Sequence, residues 1–174
     1  MRDSNDNDGS GYGVQGVRTG LYTPLERARR DATAWTLVQG ILAPIQFLAF
    51  AISLVLVLRY LDTGSGETAA TASIVVKTLL LYTIMITGSI WEKVVFGRYL
   101  FAPAFYWEDV FSMLVLALHT AYLVCLATGA FGVEGRMWLA LAAYATYVVN
   151  AAQFILKLRA ARLQSSAPTG AVAA

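Results

Sequence analysis

Four long apolar stretches separated by short polar loops dominate the pattern along the chain. They lie at about 36–58, 69–91, 107–131 and 137–157, and charge enters them only at Lys77, at Glu108 and Asp109 near one start, and at Lys157 on the last boundary. A helix rises about 1.5 Å per residue, so each stretch can cross a hydrocarbon layer about 30 Å thick. A buried helix of a soluble protein seldom runs so long without charge. The pattern predicts an all-α integral membrane protein, four transmembrane helices in a compact bundle spanning residues 21–163.

Composition agrees. Hydrophobic residues make up 57% and charged residues 14%, and the mean hydropathy is +0.58. Soluble domains carry about 25% charged residues, so a soluble enzyme and a disordered chain are both excluded. A net charge of +2 gives no argument for nucleic acid. Cys125 is alone and reads as a small buried hydrophobe.

The distribution of charge orients the bundle. Arg18, Arg27, Arg29 and Arg30 precede the first stretch, Lys93 and Arg98 lie between the second and third, and Lys157, Arg159 and Arg162 end the fourth. The opposite side sets Asp62, Glu67 and Glu134 against Arg59 and Arg136. The positive-inside rule then puts both termini at the cytoplasm of a multi-pass membrane protein. Residues 1–20 and 164–174 read as disordered tails, with no cleavable leader, so that the first span is a retained anchor. Thr23-Pro24 before Leu25-Glu26 reads as a helix start with Thr as cap and Pro at the first position. The short basic segment that follows is expected along the membrane surface.

Intramembrane polar residues are functional candidates. Gln39, Gln46 and Ser53 recur every seven residues on one face of the first span. Ser112 and His119 lie about 6 and 16 Å inside Glu108, and Gln153, Asn150 and Thr146 about 6, 10 and 16 Å inside Lys157. Thr83, Thr87 and Gly88 stand at similar depths above Glu92. Hydrogen-bond glue between helices accounts for Gln46, Ser53 and Thr146 taken singly. A polar pocket open to the cytoplasmic side accounts better for the whole set.

The segment WEKVVFGRYLFAPAFYWED (91–109) carries the most chemistry. An interfacial aromatic belt with basic anchors is one reading. The other is a site for a large flat apolar ligand with an anionic end. Trp91, Phe105 and Trp107 then form its walls, Lys93 or Arg98 receives the anion, and Glu92, Glu108 or Asp109 handles protons. Glu108 and Asp109 point about 100° apart on a helix, which makes Glu92 with Glu108 the expected pair. His119 can serve as a base, as an axial metal ligand, or as a structural hydrogen-bonder. Lys77 reads as an outer residue that snorkels. Phosphate loops, GxSxG, CxxC and HExxH are all missing from the sequence.

Four stretches carry a resemblance: LYTPLERARRDATAWTLVQGILAPIQF (21–47), VVKTLLLYTIMITGSIWEKVVFGRYLFAPAFYWEDVFSM (75–113), LALHTAY (116–122) and YATYVVNAAQF (144–154). Together they resemble the vinyl bacteriochlorophyllide hydratases of phototrophic bacteria, over nearly all of 21–163. The resemblance implies addition of water to the 3-vinyl group of a chlorophyllide-type magnesium tetrapyrrole, giving a 3-(1-hydroxyethyl) derivative without any cofactor beyond the substrate's own magnesium. Roles come from the residues themselves. Glu108 or Glu92 is the expected acid, and Asp109 or His119 orients or deprotonates water, with His119 as axial magnesium ligand the competing role. Lys93 or Arg98 holds a propionate, and Trp91, Phe105 and Trp107 the ring. Gln39, Ser112, Asn150 and Gln153 complete the substrate-binding set. Expected partners are the pigment, the lipid bilayer, a second copy of the chain and neighbouring pigment-biosynthesis enzymes, with no nucleic acid. A non-catalytic pigment carrier or photosynthetic-complex assembly factor is the rival reading.

Overall fold

A computed structural model describes residues 21–166, with side chains to 163. Of the tails expected at 1–20 and 164–174, residues 164–166 instead continue the last helix, and the rest lie outside the described residues. The chain is all-α, with α1 at Pro24–Ala32, α2 at Ala34–Thr63, α3 at Glu67–Phe96, α4 at Tyr106–Thr128 and α5 at Gly132–Ser166. All but α1 contain a segment long and apolar enough to cross a membrane.

Local chemistry sets the boundaries. Thr23 caps α1 through a reciprocal box, its hydroxyl accepting from the Glu26 N–H while the Glu26 carboxylate accepts from the Thr23 N–H, and Pro24 opens the helix. The four apolar helices begin earlier than their apolar windows, and α2, α3 and α5 also outlast theirs, because the hydrophobic pattern marks only the hydrocarbon layer. Helices α2 and α3 stop where a glycine turns left-handed, at Gly64 (φ 68°) and Gly97 (φ 80°). Gly129 does the same to α4, ending it at Thr128, before the apolar run is exhausted.

Helices α2 and α3 pack chiefly on each other, as do α4 and α5, and the two hairpins meet through α2 on α5 and α3 on α4. The apolar core lies in one half of the bundle, where Phe50, Val57, Ala70, Ile74, Tyr122, Met137, Ala140 and Tyr144 cluster. The other half gathers α1, the α3–α4 loop and the last turns of α5. Tyr22 stacks on Phe96 at 5.8 Å and Phe154 on Phe105 at 5.8 Å. Both ends of the described chain therefore sit at the end of the bundle that carries the 91–109 segment.

One expectation about the membrane interior is corrected. Lys77 does not snorkel: it is 0% exposed, with ten residues of α3 between it and the outer end, and its ammonium nitrogen lies 2.6 Å from His119 Nε2. The rings of Tyr147 and Tyr144 flank it at 4.3 and 5.2 Å. The side chain turns inward because the bundle interior offers an acceptor and aromatic faces, and the lipid side offers neither.

Candidate active site

The α3–α4 loop closes over a group of carboxyls. Asp109 accepts the N–H of Phe101 at 2.7 Å, and Glu92 accepts the N–H of Ala102 at 3.3 Å. Phe101 adopts φ 58°, a strained conformation for a bulky residue, and its bond to Asp109 holds it there. The Glu92 and Asp109 carboxyls thus bond adjacent backbone N–H groups of one loop and interact with each other. Two buried carboxyls this close favour a state in which one of them is protonated. Both are buried.

Glu108 takes a different partner. Its Oε2 lies 2.6 Å from the Lys157 ammonium, and the Glu108 side chain is 8% exposed. The expected pairing of Glu92 with Glu108 is thus replaced by Glu92 with Asp109. The 100° between successive helical residues turns Asp109 toward α3 and Glu108 toward α5. Lys157, read from sequence only as a basic anchor, is the cation of this site, and its ammonium also lies 5.2 Å from the Phe105 ring centroid. No short-range motif marked it, since its partner is 49 positions away.

Aromatic rings form the wall beside these groups. Phe105 is buried and contacts Trp91, Phe96, Tyr22 and Phe154 at centroid distances of 5.8, 5.8, 6.3 and 5.8 Å. The Trp91 indole N–H donates to Thr36 at 2.9 Å, fixing the ring against α2. Burial pushes the Tyr22 phenol above its ordinary pKa, against the opposing pull of Arg30. Inward of the carboxyls, Asn150 donates to Ser112 at 2.8 Å and Gln39 donates to Thr87 at 2.8 Å. Gln153 lies one turn inward of Lys157 on α5.

Other sequence candidates fall outside this cluster. Trp107 is 66% exposed and meets Tyr106 edge to face, on the outside of the bundle. Lys93 donates to the Gly97 carbonyl at the end of its own helix, and both Lys93 and Arg98 are exposed. His119 sits deeper: its Nδ1 donates to the Val115 carbonyl at 2.7 Å, so Nε2 is the acceptor for Lys77. Both ring nitrogens are engaged, away from the carboxyls. Among the described residues no group of His, Cys, Asp and Glu is arranged to hold a metal ion.

Two neighbouring buried carboxyls, a third carboxylate paired with a lysine and a packed aromatic cluster thus gather at one end of the bundle, an arrangement able to give and take protons beside apolar rings. Comparison with known proteins gives this arrangement a family. The sequence profile described as 2-vinyl bacteriochlorophyllide hydratase (BCHF) matches residues 22–160. A protein of that name from Cereibacter sphaeroides is 72% identical over 148 residues, covering 84% of this chain and 91% of the relative. Its namesake from Rhodobacter capsulatus is 70% identical over 149 residues, covering 86% of each. No solved structure matches the chain. The profile covers every residue of the carboxyl cluster and the aromatic wall, and the chain belongs to the 2-vinyl bacteriochlorophyllide hydratase family.

Proposed function

We propose that the protein adds water across the vinyl group of a chlorophyllide-type magnesium tetrapyrrole, the 3-vinyl group in the numbering used above, to give a 3-(1-hydroxyethyl) product of bacteriochlorophyll synthesis. The observation that carries the reading is the buried Glu92–Asp109 pair beside Glu108–Lys157, in a chain whose relatives bear the hydratase name.

The chemistry follows from the groups present. The Glu92–Asp109 pair passes its shared proton to the terminal vinyl carbon. The cation left on the inner carbon is conjugated with the macrocycle, which lowers the barrier to forming it. A water molecule attacks that carbon and gives up a proton to the Glu108 carboxylate, which the Lys157 ammonium holds in place. Proton exchange with water at the membrane edge resets both carboxyl sites. The balance is one water consumed and one alcohol formed, and no step calls for a nucleotide or a redox partner.

The Phe105 cluster supports the macrocycle, with Trp91 forming one wall. The ring's propionate is directed toward the basic end of the bundle, where Lys93 and Arg98 supply positive charge. The excess of basic residues on this side supports a cytoplasmic orientation for it, in a bacterial cytoplasmic membrane, where pigment can enter from the bilayer.

Glu108→Gln and Lys157→Met test the base. Each is expected to lower kcat for vinyl hydration by about 100-fold, the range for loss of general-base assistance, with pigment affinity within a few-fold of the parent. A carrier needs no base. Unchanged hydration in Glu108→Gln would remove Glu108 from the mechanism.

A further inference from the structure

Gln46 is 2% exposed, and neither atom of its side-chain amide meets a hydrogen-bond partner in the protein. Two more buried amide oxygens are in the same position: Asn150 Oδ1, whose nitrogen is already bonded to Ser112, and Gln153 Oε1. The three residues fall in neighbouring layers. Helices α2 and α5 run antiparallel, with Phe50 against Tyr144 and Tyr147 at 5.4 and 5.0 Å and Ser53 bonded to Tyr144 at 2.6 Å. One turn back along α2 from Phe50 is Gln46, and one turn on along α5 from Tyr147 are Asn150 and then Gln153. This register sets Gln46 level with Asn150, about 6 Å inward of the Glu108 layer.

Orphaned buried amides are rare, because each loses water without gaining a partner. A single unpaired atom can be a local packing fault. Here one donor and three acceptors lie in neighbouring layers of two helices that pack on each other. That set matches the bonding capacity of one or two waters, which need two to four polar partners each.

We infer that Gln46, Asn150 and Gln153 form the binding site for the water that adds to the vinyl group. The inference rests on the hydratase reading above and names the nucleophile's position within it. A water held there accepts from Gln46 Nε2 and donates one O–H to the Asn150 or Gln153 oxygen, which leaves the other O–H directed outward to Glu108 and one lone pair for carbon. Its oxygen forms the new C–O bond at the inner vinyl carbon, one of its O–H bonds breaks, and that proton goes to Glu108, one turn outward. The terminal carbon receives its proton separately from the Glu92–Asp109 pair. Amides suit this task because they orient water without taking its proton. Their burial also keeps bulk water, and therefore uncontrolled capture of the cation, out of the bundle interior.

The test pairs activity with stability. Replacing an unpaired buried amide by an apolar side chain of similar size is neutral or stabilising, so Gln46→Leu and Gln46→Met are expected to keep or raise the melting temperature. Hydration should nevertheless fall by at least about 10-fold in kcat, with KM for the pigment little changed. A second readout does not need turnover. Infrared difference spectra of the wild-type protein, recorded in ordinary and oxygen-18 water, should show an isotope-sensitive O–H stretch from a strongly bound water, and Gln46→Leu should lose it. Wild-type hydration rates in both variants would overturn the inference while leaving the hydratase reading intact. Absence of the water band from the wild type would overturn it independently of activity. A wild-type protein that shows the band but leaves the pigment unchanged would instead remove the hydratase reading and, with it, the role assigned to this water.

Discussion

Glu92→Gln and Asp109→Asn are each expected to lower vinyl hydration by about 100-fold to 10,000-fold, the span associated with losing a positioned general acid, while pigment remains bound. These amides are chosen because they preserve the architecture. The amide oxygen introduced at position 92 can still accept the Ala102 N–H, and the one introduced at position 109 can still accept the Phe101 N–H. The new NH₂ group can donate to the remaining carboxylate, so the pair survives without an acidic proton to share. The loop over the site therefore stays closed, and the loss reports chemistry rather than collapse. Glu92→Leu would remove the loop bond as well and confuse the two. Single-turnover rates with bound pigment, together with a binding titration, check the prediction. Amide variants that turn over at the parent's rate would reduce the carboxyls to clamps on the strained backbone at Phe101.

The largest effect on stability is expected at His119. Leucine there leaves the Lys77 nitrogen buried among Tyr144, Tyr147 and apolar side chains with its acceptor gone, and orphaning one member of a buried polar pair of this kind costs about 3–5 kcal/mol. Lys77→Met is milder, since it strands only the imidazole Nε2, at about 1–3 kcal/mol. The double variant removes both polar groups and should recover most of the loss. Thermal unfolding of the four proteins in one detergent or nanodisc preparation gives the full cycle. Folded molecules of the double variant should still hydrate pigment at close to the parent rate, because this pair lies deeper than the carboxyls. A double variant as unstable as His119→Leu would show that the two side chains do not act as a pair.

Much of this organisation was legible in the sequence because membranes impose simple rules. Charge-free runs of the right length can only be spans, and Thr23-Pro24 with Glu26 three positions after the cap is a local signature that α1 fulfils. That the three carboxylates of the 91–109 segment gather at one end of the bundle was legible too, since all three fall at the same membrane edge. Pairing was harder to read. The rotation between Glu108 and Asp109 was calculable, but the helix each would face depended on how two hairpins dock, which periodicity does not encode. Lys157 and Lys77 show the same limit from opposite directions. Each looked like a boundary lysine in a linear scan, one basic end among several and one snorkelling residue. Partners 49 and 42 positions away turned both inward. Gln46 was legible as a polar residue on the correct face, yet its unpaired state becomes visible only when every neighbour is in place.

The central claim is that water itself, guided by two carboxyl sites, completes the vinyl group. The measurement that tests it most directly is a reaction of purified protein with a vinyl-bearing chlorophyllide in water enriched in both deuterium and oxygen-18, with no nucleotide present. The prediction is a product heavier by one labelled water, with oxygen-18 on the new hydroxyl and one deuterium on the adjacent methyl carbon. Its formation should depend on Glu92 and Asp109. Pigment recovered unlabelled and unchanged from a folded, pigment-binding protein would contradict the account and leave a carrier in its place.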